Sequence, residues 1–135
     1  MDEILEFLIK YLSFLYNEYG FKFVDSMSSK SFGGDGFLVL RSEHIALRFV
    51  NDRSQLFLDL RSTQFDKKND WHSIDLVKQL ITGDVSENSV LNEEIVFFLK
   101  DHINDILEKF GPKEAKSTIV RLKKFKVERA KRLFG

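Results

Sequence analysis

Three histidines are the residues of this chain best suited to metal binding or acid–base chemistry. His44, His72 and His102 lie far apart in the sequence, and none has the HExxH or His-x-x-x-His spacing that places two ligands on one metal. The chain has no cysteine, so a zinc site would need carboxylates from several elements. The sequence therefore predicts no metal site and no cofactor. We expect His102 to lie in the core, on the apolar side of a helix, and His44 to lie at the surface in a turn.

Other patterns that support catalysis are also missing from the sequence. The segment SSKSFGGDG could present backbone N–H groups to a phosphate, but it lacks the GxxxxGK[ST] and GxGxxG spacings and leads into a strand rather than a helix. We interpret it as a hairpin loop. No GxSxG pattern places a nucleophilic serine, and Glu93 and Glu94 are adjacent on a helix, where neighbours do not face each other. The sequence thus indicates a protein that is not an enzyme, with a small enzyme of unrecognised motif as an alternative.

Length and composition favour one domain, residues 1–135. The chain is 43% hydrophobic and 31% charged, which is enough apolar content for a sizeable core without disulfides. The start, Met1-Asp2-Glu3, is unlike the basic start of a secretory signal. No apolar run approaches the roughly 20 residues that span a bilayer. We therefore expect a cytoplasmic protein with no membrane partner.

The elements that must position any site begin with an antiparallel meander. From Gly36 to Ser62, three apolar runs follow one another with two-residue periodicity. Turns at Ser42-Glu43 and Asp52-Arg53 would pair Leu40 with Ile45, Leu38 with Leu47, Leu47 with Leu58, and Phe49 with Leu56. With a first strand at Phe21–Met27, the prediction is an antiparallel sheet of about four strands.

The two faces of this predicted sheet differ in composition. The paired leucines and their neighbours form one apolar face, which we expect to be the core. The opposite face mixes apolar and charged side chains, so either a helix or solvent must cover it. Its residues are Phe37, Val39, Arg41, His44, Ala46, Arg48, Phe57, Asp59 and Arg61.

Helical periodicity predicts one N-terminal and three C-terminal helices, which makes the fold class α+β. The first helix is expected from Asp2 to Gly20. The second runs from Trp71 to Thr82, with Asp70 as its N-cap and Gly83 as a left-handed stop. Its predicted buried stripe is Trp71, Ile74, Val77 and Ile81. The third runs from Ser89 to Phe110, and the last from Pro112 to Phe134.

Charge is divided unevenly along the chain. Residues 113–135 contain nine Lys or Arg and two Glu, a formal charge of +7, whereas residues 1–112 contain twelve basic and nineteen acidic residues, a charge of −7. A basic terminal helix can bind nucleic acid or dock on the acidic body. Its cations are scattered around the helix, whereas a groove-binding helix gathers them on one side. The pattern therefore favours docking within the protein.

The third predicted helix carries a candidate partner-binding surface. At 100° per residue, one side of this helix is acidic, yet Phe97 lies within it. An aromatic side chain in a charged rim is the composition of a binding hot spot. The candidate partner-binding residues are Glu94, Phe97, Asp101, Asp105 and Glu108. The commoner explanation is that the last helix covers Phe97 and pairs with these acids.

The order of the elements resembles that of small bacterial immunity proteins that accompany polymorphic or contact-dependent growth-inhibition toxins. The resemblance covers chiefly residues 71 to 135, through the segments WHSIDLVKQLITGD, EEIVFFLKDHINDILEKFG and TIVRLKKFKVERAKRLFG. It implies a cytoplasmic protein that binds one cognate toxin, often a nuclease, and blocks its active site without catalysis. Carboxylates on such a protein would occupy a positive groove made for phosphates. The alternative is a nucleic-acid-binding protein that uses the basic helix. The sequence identifies no small-molecule substrate.

Overall fold

A meander of antiparallel strands forms the centre of the fold. The computed structural model describes residues 2–28, 36–85 and 88–135. Five strands pair in chain order: β1 Lys22–Ser28, β2 Gly36–Arg41, β3 Ile45–Asp52, β4 Gln55–Ser62 and β5 His72–Ser73. The predicted α+β class is therefore confirmed, with one short strand more than expected. The predicted hairpin loop at 29–35 lies outside the described residues.

The predicted register is wrong by two residues in both hairpins. Leu47 pairs with Leu40 and Leu60, rather than with Leu38 and Leu58. The second turn is Arg53-Ser54, whose φ values of 52° and 66° are those of a two-residue type I′ hairpin. Because side chains alternate with a period of two, a two-residue shift leaves every residue on its predicted face. The apolar pattern determines the face, and the turn conformation determines the register.

Five helices flank the sheet in the described residues: α1 Asp2–Tyr11, α2 Ser13–Glu18, α3 Ile74–Thr82, α4 Glu93–Lys109 and α5 Ala115–Phe134. The predicted first helix is broken at Leu12, whose φ of −123° is not helical. The break leaves both Leu12 and Leu15 fully buried. Gly83 ends α3 in the left-handed conformation, as predicted, and its N–H donates to the Gln79 carbonyl.

Two predicted helices start later than expected because the preceding residues pair with β4. His72 and Ser73 form β5 there, so α3 begins at Ile74 rather than Trp71. The Leu91 N–H donates to the Leu56 carbonyl at 2.7 Å, so α4 begins only at Glu93. The backbone groups of these segments therefore form hydrogen bonds with β4 instead of the hydrogen bonds of a helix.

The core lies between one face of the sheet and the helices. Leu47, Phe49 and Leu58 are at most 2% exposed and share a cluster with residues of all five helices, such as Ile4, Leu15, Val77, Leu99 and Leu122. Fully burying such side chains stabilises the fold by about 1.5–3 kcal/mol each. The buried side of α3 is Ile74, Leu76, Val77 and Leu80, with Ile81 only half-buried. Trp71 lies before the helix and is half-buried on the outer face of the sheet.

The three histidines lie in separate environments. His72 is buried, and its Nε2 lies 3.0 Å from both carboxylate oxygens of Asp66. The side chain of His102 is 34% exposed and contacts Asp105, so the predicted core placement is wrong. It lies at the border of the apolar stripe of α4, against the ring of Phe98. His44 lies in the turn before β3, with a half-buried side chain.

Candidate functional site

The candidate site is the outward side of α4, and both ends of this helix are held firmly. Asn92 caps the N-terminus, where its Oδ1 accepts a hydrogen bond from the Ile95 N–H at 3.0 Å. At the other end, the Thr118 hydroxyl donates to the Lys109 carbonyl at 2.6 Å. The inward side is buried through Ile95, Val96, Phe98, Leu99, Ile103 and Ile106. The outward residues therefore stand on a fixed scaffold.

Phe97 is the large apolar residue on the outward side, and it is 63% exposed. Its neighbour Phe98 is only 6% exposed, so the two rings have opposite environments. The sequence-based expectation that the last helix covers Phe97 is wrong. Packing among the described residues does not explain why a phenyl ring is exposed to solvent on a helix that is held at both ends.

Helix α5 leaves Phe97 uncovered because it packs against α3 instead of the acidic side of α4. Its first half buries Ala115, Ile119 and Leu122. Further along, the Arg129 Nη1 donates to the Asp75 carboxylate of α3 at 2.8 Å and to the Ser73 hydroxyl at 2.8 Å. The Asp75 side chain is completely buried. A buried carboxylate requires a partner, so this pair holds α5 on α3.

The four predicted carboxylates lie at the surface of α4 near Phe97. Glu94 and Asp105 are exposed, with side-chain exposures of 73% and 58%. Asp101 and Glu108 are also exposed. At 100° per residue, these positions fall within about one-third of the helix circumference. The helix thus brings all five sequence-predicted residues onto one side.

Two of these carboxylates have partners within the chain. The Lys78 Nζ of α3 donates to the Glu94 Oε1 at 2.8 Å, and this hydrogen bond lowers the pKa of Glu94 from its ordinary value. The same bond raises the pKa of Lys78 against the opposing effect of its burial. Asp105 contacts the His102 Nδ1 at 3.2 Å. Within the described ranges, neither Asp101 nor Glu108 has an ion-pair partner, so both carboxylates are available to a cation from outside.

Lys78 is the member of this surface that sequence reasoning missed. It lies 16 residues before Glu94, on a different helix, and no periodicity links the two positions. Its side chain is only 12% exposed, so the ammonium group lies at the border between α3 and α4. Only the packing of the two helices brings it to Glu94.

Across 2–28, 36–85 and 88–135, no group of three or more His, Asp or Glu side chains is arranged to hold a metal ion. None of the helices in these ranges combines the length and the apolar character that a membrane crossing requires.

Comparison with family models, with curated proteins and with solved structures gives no match. The resemblance to immunity proteins therefore stays a prediction.

Proposed function

We propose that this chain is a non-catalytic protein-binding domain, and specifically an immunity protein that neutralises a cognate toxin by direct binding. The observation that carries the proposal is the 63% exposure of Phe97 within a rim of carboxylates. In this proposal Phe97 is the apolar anchor. The surrounding charges set the orientation and the rate of association.

Charge indicates the chemistry of the partner. A rim built from Glu94, Asp101, Asp105 and Glu108 complements a positively charged surface. The phosphate-binding groove of a nuclease has that character, and an acidic helix laid into it would exclude the nucleic acid. Inhibition in this way needs no catalytic group on the inhibitor, in agreement with the lack of catalytic motifs in the sequence.

The test is partner capture in cells of the native source, with a photo-crosslinking residue placed next to Phe97. The captured protein is then expressed alone to measure its toxicity, and together with this chain to measure neutralisation. Phe97→Ala should weaken binding by about 2 kcal/mol, or roughly 30-fold, and Asp101→Lys should weaken it further at low salt. Val120→Ala is the matched control, since Val120 of α5 is 68% exposed but lies outside the candidate surface.

The outcomes separate the proposal from its rivals. Neutralisation that is lost with Phe97→Ala and kept with Val120→Ala supports it. A captured protein that is harmless to the cell would contradict the immunity role, and equal effects of the two variants would contradict the site.

The basic helix supports a second candidate function, nucleic-acid binding. Lys123, Lys124, Lys126 and Lys131 are all exposed. No ion pair joins them to the acidic body within the described residues. Micromolar or tighter affinity at physiological salt, with a steep loss of affinity as salt rises, would favour this function. We expect weaker binding, because the cations point in all directions around α5.

A further inference from the structure

The outer face of the sheet, opposite the helices, contains a cavity of about 370 Å³. It is lined by residues of β1 to β4 and by the segment that leads into β5. A volume in this range accommodates a small organic molecule. The cavity lies away from α4, and no residue of the candidate partner-binding surface lines it.

Strand register explains why the cavity is present. Ala46 of β3 pairs with Arg41 on one side and with Arg61 on the other, so a methyl group lies between two long cationic side chains. The small residue leaves an opening that a leucine would fill. Ala46 and Val39 are buried and form the apolar floor.

An irregularity in β1 forms one wall. The pairing with β2 shifts between Phe23 and Asp25, which makes Val24 the extra residue of a β-bulge. Consecutive residues of a regular strand point to opposite faces, but a bulge redirects them. Val24 and Asp25 accordingly both line the cavity.

Trp71 holds two guanidinium groups in position. The Cζ atoms of Arg48 and Arg61 lie 4.6 Å and 5.3 Å from its ring centroid, within the range of cation–π attraction. Arg48 is fixed further by Asp59, whose Oδ2 accepts from Nη2 at 2.7 Å. The sequence-based placement of Trp71 in the buried stripe of a helix missed this role.

Several donors on these side chains are unused. The Nε–H of Arg61 is buried and has no acceptor among the described residues. Arg41 is exposed and has no ion pair there either. A buried donor without an acceptor costs free energy. The exposed guanidinium of Arg41, which lines the cavity, has donors that an incoming anion can reach. Among the described residues, four basic side chains line the cavity, Arg41, Arg48, Arg61 and Lys68, against one acidic side chain, Asp25.

We propose that this cavity binds a small organic anion, with a phosphate or carboxylate head and a compact apolar body. The head lies between Arg41 and Arg61, where charge-assisted hydrogen bonds are available. The body rests on the floor of Val39 and Ala46. This site is independent of the protein-binding surface on α4.

The chain itself supplies the reporter, because Trp71 is its single tryptophan and lies in the cavity wall. Fluorescence titrations with phenyl phosphate and benzoate compare the two head groups, and benzyl alcohol tests the body without charge. We expect a saturable change for at least one of the two anions, with a Kd of about 1 mM or lower for a ligand of roughly ten non-hydrogen atoms. Saturation by neither anion overturns the proposal, as does equally strong binding of benzyl alcohol.

Variants locate the binding. Arg41→Gln and Arg61→Gln should each raise the Kd about tenfold, and Ala46→Leu should abolish binding by filling the cavity. Arg41 is exposed, so its substitution leaves the fold intact even if Ala46→Leu does not.

Lys123→Gln is the control for net charge: it removes one positive charge from α5 and should leave the Kd unchanged. An equal loss with Lys123→Gln would overturn the proposal, because binding would then follow net charge alone. Phe97→Ala should not alter this Kd, so failure here and failure of the protein-binding proposal can be told apart.

Discussion

Large apolar side chains in the core and on the outward side of α4 have opposite environments. Leu58 of β4 is fully buried beneath the helices, whereas Phe97 is 63% exposed. Packing accounts for the first residue completely and for the second not at all. In the core, an apolar residue contributes to folding. On α4, the apolar side chain of Phe97 is exposed to solvent.

Ion pairs in the interior and on the outward side of α4 also differ in how far their carboxylates are buried. The Asp75 carboxylate is fully buried and its partner Arg129 is 23% exposed, while Glu94 is 73% exposed beside Lys78. A buried charge depends on its partner, whereas an exposed one is stabilised by water in any case. The same chemistry therefore stabilises the fold in one region and adjusts surface charge in the other.

The largest expected effect is that of Leu58→Ala, which should lower the free energy of unfolding by about 2 to 5 kcal/mol. The reason is the cavity left in a fully packed site. A urea titration measures it, with Leu133→Ala as control, because Leu133 of α5 is 49% exposed. A loss below about 1 kcal/mol for Leu58→Ala would contradict the assignment of this strand face to the core.

Arg129→Leu should lower the free energy of unfolding by about 2 to 3 kcal/mol, somewhat less than the cost of breaking a fully buried pair. The loss comes from the Asp75 carboxylate left buried without a cation. Adding Asp75→Asn to the Arg129→Leu variant should restore part of the lost stability, because the asparagine amide carries no charge to leave unpaired. If the double variant is no more stable than Arg129→Leu, the pair does not contribute through its charges.

Phe97→Ala should change the free energy of unfolding by less than about 0.5 kcal/mol, as for other surface positions. Phe98→Ala, at the adjacent and buried position, should cost about 3 to 5 kcal/mol. Thermal and urea unfolding of the two variants measure the contrast directly. Similar losses would mean that Phe97 is packed against the protein, which would remove the argument for an exposed anchor.

The smallest expected effect is electrostatic. A carboxyl-detected NMR titration should place the pKa of Glu94 below its ordinary value, because Lys78 donates to the carboxylate. A lowered pKa in the folded state means that the contribution to stability is present above the unfolded-state pKa and is lost as pH falls through the folded-state pKa. Lys78→Met should return the Glu94 pKa to its ordinary value, and Lys123→Met should not. An unchanged pKa in Lys78→Met would show that the lysine is not its cause.

Much of the fold follows from local patterns. The two-residue period from Gly36 to Ser62 predicts which side chains are buried, and the left-handed stop at Gly83 follows from glycine alone. Strand register does not follow, because a shift of two residues preserves every face while changing every partner. Helix starts at Ile74 and Glu93 also escape prediction, since β4 supplies the backbone partners of the residues before them.

For the candidate surface on α4, too, the sequence predicts which residues share one side of the helix but not whether that side is exposed. The 100° rotation per residue places Phe97 among the carboxylates whatever the rest of the fold does. Whether that side is covered depends on where α5 packs, and the Arg129–Asp75 pair holds α5 on α3. Residues 54 positions apart form this contact, so no local pattern contains it.

The sequence by itself determined the α+β class, the core face of the sheet and the residues that share the acidic side of α4, because each depends on the fixed period of a strand or helix. Only the tertiary structure decided the hairpin register, the exposure of Phe97 and the cavity bounded by Arg41, Arg61 and Trp71. These depend on contacts between residues distant in sequence, and many distant pairings satisfy the same local periodicity.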